Sequence, residues 1–160
     1  MKRRPPHSGF TLIEMIVTVA LVAIIASVAT PFIKLHLQRE KERELKAALV
    51  AIRTAIDAYK RSGDEGLIAR SADSTGYPHS LNELVTGVVN QRDPKGRKIY
   101  FLRRIPRDPM ASLPSSPPEE TWGKRSYASE ADNPVEGEDV YDVYSLSDKT
   151  GTNGIPYREW

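Results

Sequence analysis

Glu14 is the single acid in the most apolar stretch of the chain, Phe10 to Ile33, and it stands five residues after Gly9. A carboxylate in hydrocarbon costs about 3 kcal/mol on insertion scales, so such a residue either reaches water at headgroup depth or marks a function. Little else in the chain has the spacing for chemistry. There is no cysteine, which excludes a disulfide framework and a thiolate metal site. His79 stands in no His/Asp/Glu grouping of zinc-ligand spacing and reads as a surface residue. No nucleophile–base pair, glycine-rich phosphate loop or cofactor motif stands out, so the chain does not read as an enzyme. The net charge of +2 resides in Lys2, Arg3 and Arg4. Without residues 1–9 the balance is slightly acidic, and a folded part without a basic excess argues against nucleic acid as a partner.

The element that must position Glu14 is an apolar helix. Met15 to Ile33 is free of charge, and Phe10 to Ile33 as a helix spans roughly 36 Å. A bilayer core needs about 30 Å. The basic residues before it predict a cytoplasmic N-terminus and an outward-facing remainder. The late small residues Ala26 to Pro31 give no clean signal-peptidase site. The helical pattern runs on instead: Leu45, Leu49, Ile52, Ile56 and Tyr59 recur at spacings of four and three, and predict one apolar face. One helix over about Thr11 to Arg61 is expected, ended by Ser62 to Gly66. Between its two parts Gln38 to Glu44 is polar all round and reads as a solvated neck, with Glu40–Arg43 and Glu42–Lys46 as opposite pairs at helical spacing.

The rest is loop-rich, with most of the twelve prolines and ten glycines after residue 60. Tyr77 to Val85 reads as a turn and a short helix, with Ser80 as a cap and Glu83 three residues on. Lys98 to Leu102 reads as a short strand or a helical turn. Ile105 to Pro109 reads as a rigid turn, and Met110 to Glu120 as a proline- and serine-rich loop. Trp122-Gly123, Ser126-Tyr127 and Asp139 to Leu146 predict a small antiparallel sheet. Val140, Asp142 and Tyr144 fall on one face of its last strand, and Tyr141, Val143 and Ser145 on the other. That sheet would cover the apolar face of the helix.

The ungapped string Gly9-Phe10-Thr11-Leu12-Ile13-Glu14 resembles the prepilin signature of type IV pilins and type II secretion pseudopilins. The resemblance implies cleavage between Gly9 and Phe10 by a membrane aspartic peptidase and N-methylation of Phe10. It also implies an assembly role for Glu14, fifth in the mature chain. Such a cut creates an amine at Phe10, and a buried amine and a buried carboxylate each need a partner. Glu14 of one subunit would then neutralise Phe10 of a neighbour and set register between smooth apolar helices. Pro31, where the family commonly carries a helix-breaking proline, reads as a bend that lets subunits pack, since proline lacks an N–H.

The order Y-P-x-S-L-x-x-L, I-P-x-D-P, W-G and D-V-Y-S-L resembles the major pseudopilin branch, and the absence of cysteine agrees. The chain departs from that branch in two places. Pro109 and Trp122, fused there as one D-P-W-G turn, are separated here by residues 110–121, and residues 129–138 also look inserted. The branch commonly binds calcium in the loop after Y-S-L. Carried over, the ligands would be the Leu146 carbonyl, Asp148 and Asn153. The same loop, Ser147 to Gly154, reads equally as a polar turn on Gly151 and Gly154.

Together these readings give an α+β chain of pilin type, a long N-terminal helix packed on a small C-terminal antiparallel sheet. Its expected parts are a cleaved leader (1–9), a transmembrane and assembly helix (10–33) and a periplasmic domain (34–160). The function implied is a structural subunit of a periplasmic pseudopilus for type II secretion, anchored in the bacterial inner membrane by one pass. The alternative is a type IV pilin of a surface pilus. Implied partners are further copies of the chain, the prepilin peptidase and methyltransferase, an inner-membrane assembly platform and minor pseudopilins.

Overall fold

The computed structural model describes residues 9–71, 73–112 and 115–160, and of residues 28–31 the backbone alone. The predicted leader therefore lies outside the described residues, apart from Gly9. The chain forms two compact units that divide between Arg39 and Glu40. Helix α1, Leu12–Asp64, contributes to both.

In the unit from Glu40 onward, the residues at helical spacing make the core. Leu45, Leu49, Ile52, Ile56 and Tyr59 are buried, with Ala48 and Ala55 between them. They pack with Ile68, Leu81, Leu84, Trp122, Val140, Val143 and Tyr157 in one hydrophobic cluster. The helix passes Ser62 and Gly63 and ends at Asp64, a turn later than expected. The Lys60 ammonium meets Asp64 Oδ1 at 2.6 Å, and the Ser62 hydroxyl donates back to Ala58 O at 2.9 Å, so the last turn is tied to itself.

Helix α2, Leu81–Thr86, buries Leu81 and Leu84. Ser80 has the extended backbone of an N-cap, but its side chain makes no capping bond. Glu83 explains why the expected box does not close. Its carboxylate accepts from the Tyr59 hydroxyl at 3.1 Å and from the His79 N–H at 3.3 Å, so it serves helix α1 and the preceding turn. Burial and the Glu83 charge push the Tyr59 phenol up to about 12. His79 is exposed, as expected, with Nδ1 2.8 Å from Glu138 O.

The expected C-terminal antiparallel sheet forms, and a second two-stranded antiparallel sheet stands separate from it among the described residues. Strands β1 (Val88–Val89) and β2 (Lys98–Ile99) pair Val88 with Ile99. Strands β3 (Trp122–Arg125) and β4 (Asp142–Ser145) pair Trp122 with Ser145 and Gly123 with Tyr144. Gly123 is dictated by that register: a Cβ there would stand 2.3 Å from Cζ of the Tyr144 ring. Val143 and Ser145 are buried on one face of β4, as the alternation requires. Val140 is buried as well. It lies before the strand, its N–H given to Pro78 O at 2.8 Å, so the two-residue period does not extend to it.

The turn at Asp108 and strand β3 meet despite the twelve residues between Pro109 and Trp122. The Trp122 indole N–H donates to Pro106 O at 2.8 Å. The Asp108 N–H donates to Thr121 Oγ1 at 3.1 Å. The Asp108 carboxylate, only 1% exposed, accepts from the Ser145 hydroxyl at 2.6 Å and the Met110 N–H at 2.7 Å. A buried carboxylate needs such donors, and with the Asp108 N–H bond to Thr121 the two tie turn, connection and β4 together. The stretch from 110 is not loop throughout, because Pro118–Thr121 forms a 3-10 turn. Residues 129–138 form a loop closed at its base. The Ser126 N–H donates to Val135 O at 3.0 Å, while Asp139 accepts from the Ser126 hydroxyl at 2.8 Å and the Tyr127 N–H at 2.9 Å.

Candidate functional site

The site begins at the Gly9–Phe10 junction. A Cβ on Gly9 would meet nothing within 4 Å and Phe10 is 82% exposed, so no other described residue packs over either one. Helix α1 starts two residues later under a reciprocal cap. The Glu14 N–H donates to Thr11 Oγ1 at 3.3 Å, and the Thr11 N–H donates to Glu14 Oε2 at 3.5 Å. Glu14 therefore neutralises the partial positive charge at the helix start within its own chain. It remains exposed, and the next acid along the chain is Glu40. A full positive charge brought to this point would compete for the same oxygens.

The side chains that follow are of a kind that water does not favour. Phe10, Leu12, Ile13, Met15, Ile16, Val19, Leu21, Val22, Ile24 and Ile25 are all exposed by half or more. An 18-residue window of this helix has a mean hydropathy of 2.6, long and apolar enough to cross a membrane. Two of its described hydroxyls are satisfied inside the helix. Thr18 donates to Met15 O at 2.9 Å and Ser27 to Ile24 O at 2.7 Å, which is what a lipid surround demands. Helix α1 runs through Pro31; the Pro31 side chain lies outside the described residues.

The second candidate region is the loop after β4. Leu146, Asp148 and Asn153 are exposed there. Asn153 turns its Oδ1 back onto the Ile155 N–H at 3.1 Å. Gly151 permits this fold of the chain, since a Cβ would stand 2.5 Å from Cζ2 of the Trp160 ring and 2.7 Å from Asn153 Oδ1.

Sequence reasoning missed the residues that hold this loop. Glu42, read as part of the solvated neck, is 7% exposed. Its carboxylate accepts from the Thr152 N–H at 2.7 Å, the Thr152 hydroxyl at 2.6 Å and the Tyr157 hydroxyl at 2.9 Å. Lys46 lies 4.6 Å from the Trp160 ring centroid. Arg53 donates to Asp142 Oδ1 at 2.7 Å, Val143 O at 3.1 Å and Trp160 O at 2.9 Å. Glu42 is spaced three residues before Leu45, in phase with the apolar stripe. That phase was the available signal: charge was counted where position on the helix should have been.

An exposed apolar helix that starts just after a Gly-Phe junction and leads into a cysteine-free α+β unit defines a pilin-like protein with a helix long and apolar enough to anchor it in a membrane. The comparisons narrow the class. Residues 4–30 match the family described as prokaryotic N-terminal methylation motif. The type II secretion system core protein G of Pseudomonas aeruginosa is 32% identical over 116 residues, 70% of this chain and 73% of that protein. The core protein G of Vibrio cholerae serotype O1 is 29% identical over 115 residues, 70% and 71% of the two chains. A shorter similarity, 30% over 69 residues, covers 43% of this chain and 44% of fimbrial protein Q of Moraxella bovis. No solved structure matches. The chain belongs to the type II secretion system core protein G family and is a pseudopilin.

Proposed function

We propose that this chain is processed between Gly9 and Phe10 and polymerises into a periplasmic pseudopilus that works in type II secretion. The observation that carries the reading is the pairing of an open Gly9–Phe10 junction with a carboxylate, Glu14, held one turn away by its own Thr11. Cleavage puts an ammonium at Phe10. Between stacked apolar helices, Glu14 and the Phe10 amine of a neighbour each supply the charge the other needs. The work is structural. The leader belongs on the cytoplasmic side, the helix from Phe10 to Ile33 in the inner membrane, and residues 34–160 in the periplasm. Partners are other copies of the chain, a prepilin peptidase with methyltransferase activity, an assembly platform and minor pseudopilins, with Pro31 giving the helices room to pack.

Mass spectrometry of the protein recovered from membranes tests this directly. The expected mass lacks residues 1–9 and carries one methyl group on Phe10; an intact N-terminus would overturn the proposal. The similarity to a fimbrial protein supports a second reading, a surface pilus subunit. Fibres extending from intact cells at native expression would favour it.

A further inference from the structure

We infer that the loop after β4 is latched to helix α1 by Glu42 without a metal ion, so that this pseudopilin folds independently of calcium. The loop is where the family resemblance places calcium, and the groups present do not fit that ion. Calcium takes six to eight oxygen ligands with free lone pairs directed at one point. Here three donors, the N–H and hydroxyl of Thr152 and the hydroxyl of Tyr157, converge on the Glu42 carboxylate. Their hydrogens point at the one buried carboxylate beside the loop, so its charge is already answered by donors and a cation placed among those hydrogens would be repelled.

Four further loop oxygens, one of them the Asn153 side-chain oxygen of the implied ligand set, are engaged in closing the turn. Asn153 Oδ1 accepts from the Ile155 N–H. Gly151 O accepts from the Gly154 N–H at 3.0 Å, Ile155 O from the Gly151 N–H at 2.9 Å, and Lys149 O from the Tyr157 N–H at 3.1 Å. Asp148 is exposed and is followed at once by Lys149. Among the described residues no three His, Asp or Glu side chains gather where a metal would sit.

The latch has a clear energetic logic. A loop of small and polar residues buries little apolar surface, so its ordering must be offset by something local. A bound cation would do this by drawing oxygens together. A buried carboxylate accepting three bonds does it too, and bonds to charged groups are the strong ones. Lys46 against Trp160, Tyr157 edge-on to Trp160 and Arg53 on Trp160 O extend the same attachment along one side of the helix. The inference stands apart from the assembly reading, since it concerns the closure of the folded unit alone.

Amide hydrogen exchange of the full-length chain in detergent, read over residues 149–157, is the test. The wild type in excess EGTA and in millimolar calcium chloride is expected to show the same protection and the same melting temperature. Glu42→Gln is expected to lose protection about tenfold in both buffers. Thr152→Val, which keeps the N–H and removes only the hydroxyl, gives a milder loss and serves if Glu42→Gln fails to fold. Protection or melting temperature that rises with calcium in the wild type would overturn the inference. So would full protection retained in both variants.

Discussion

Glu14 and Glu42 lie on the same helix, are the same residue type, and have opposite surroundings. Glu14 is exposed and accepts one long hydrogen bond from its own helix start. Glu42 is buried and accepts three short ones from a loop more than a hundred residues away in sequence. The neighbours differ in the same way. Apolar side chains after Glu14 face outward, whereas after Glu42 the stripe of Leu45, Leu49, Ile52, Ile56 and Tyr59 faces the core. An unsatisfied apolar surface with one lightly held charge is poised to be completed by another molecule. A satisfied charge within a packed stripe is already complete. On the proposed function, the contrast separates the part of the chain that would assemble from the part that folds.

Glu14→Ala should break the comparison on the assembling side with the largest effect. Loss of fibres is expected, seen by electron microscopy of cells overexpressing the variant, with membrane insertion retained in fractionation. The folded unit should melt at the wild-type temperature, because Glu14 contributes nothing to it. Fibres of normal length and number would sink the assignment.

Ile52→Ala tests the folding side. Ile52 is fully buried at the middle of the stripe. Removing its side chain should cost about 2–5 kcal/mol of stability, measured by urea titration of the detergent-solubilised chain. Processing at Gly9 should continue. A change under about 1 kcal/mol would show that the stripe is not the core.

The two regions were also unequally legible. The Gly9 to Glu14 string and the stripe from Leu45 to Tyr59 are local patterns, one read by order and the other by helical period, and both elements were legible in outline. What escaped was non-local. Nothing near Glu42 names Thr152, and nothing near Asp108 names Ser145 or Thr121. The insertion of residues 110–121 looked as if it would part Pro109 from Trp122, yet the Trp122 indole still reaches Pro106 O. Strand β4 was recognisable from its alternation, but its limits were not: Val140, whose N–H goes to the Pro78 carbonyl, packs in the core outside any strand. The expected cap at Ser80 failed for a similar reason: Glu83 answers to Tyr59, which is close only after folding.

The smallest expected effect is a pH dependence confined to the folded unit, and it sharpens the comparison by giving that unit a signature of its own. Burial pushes the Asp139 carboxyl up, but bonds from the Thr75 hydroxyl, the Tyr127 N–H and the Ser126 hydroxyl, together with the nearby His79, pull it further down, and it settles below the usual carboxylate value. A carboxyl whose folded value is depressed binds protons more readily when unfolded. Its contribution is therefore fully present above the unfolded value of about 3.9 and is lost as pH falls through the folded value. Stability measured by urea titration should fall below about pH 4 in the wild type. Asp139→Asn should be less stable at neutral pH and show a shallower decline in acid, since the group that takes up the proton is gone. Equal acid slopes for the two proteins would mean that the loop base at Ser126 and Tyr127 does not depend on the Asp139 charge.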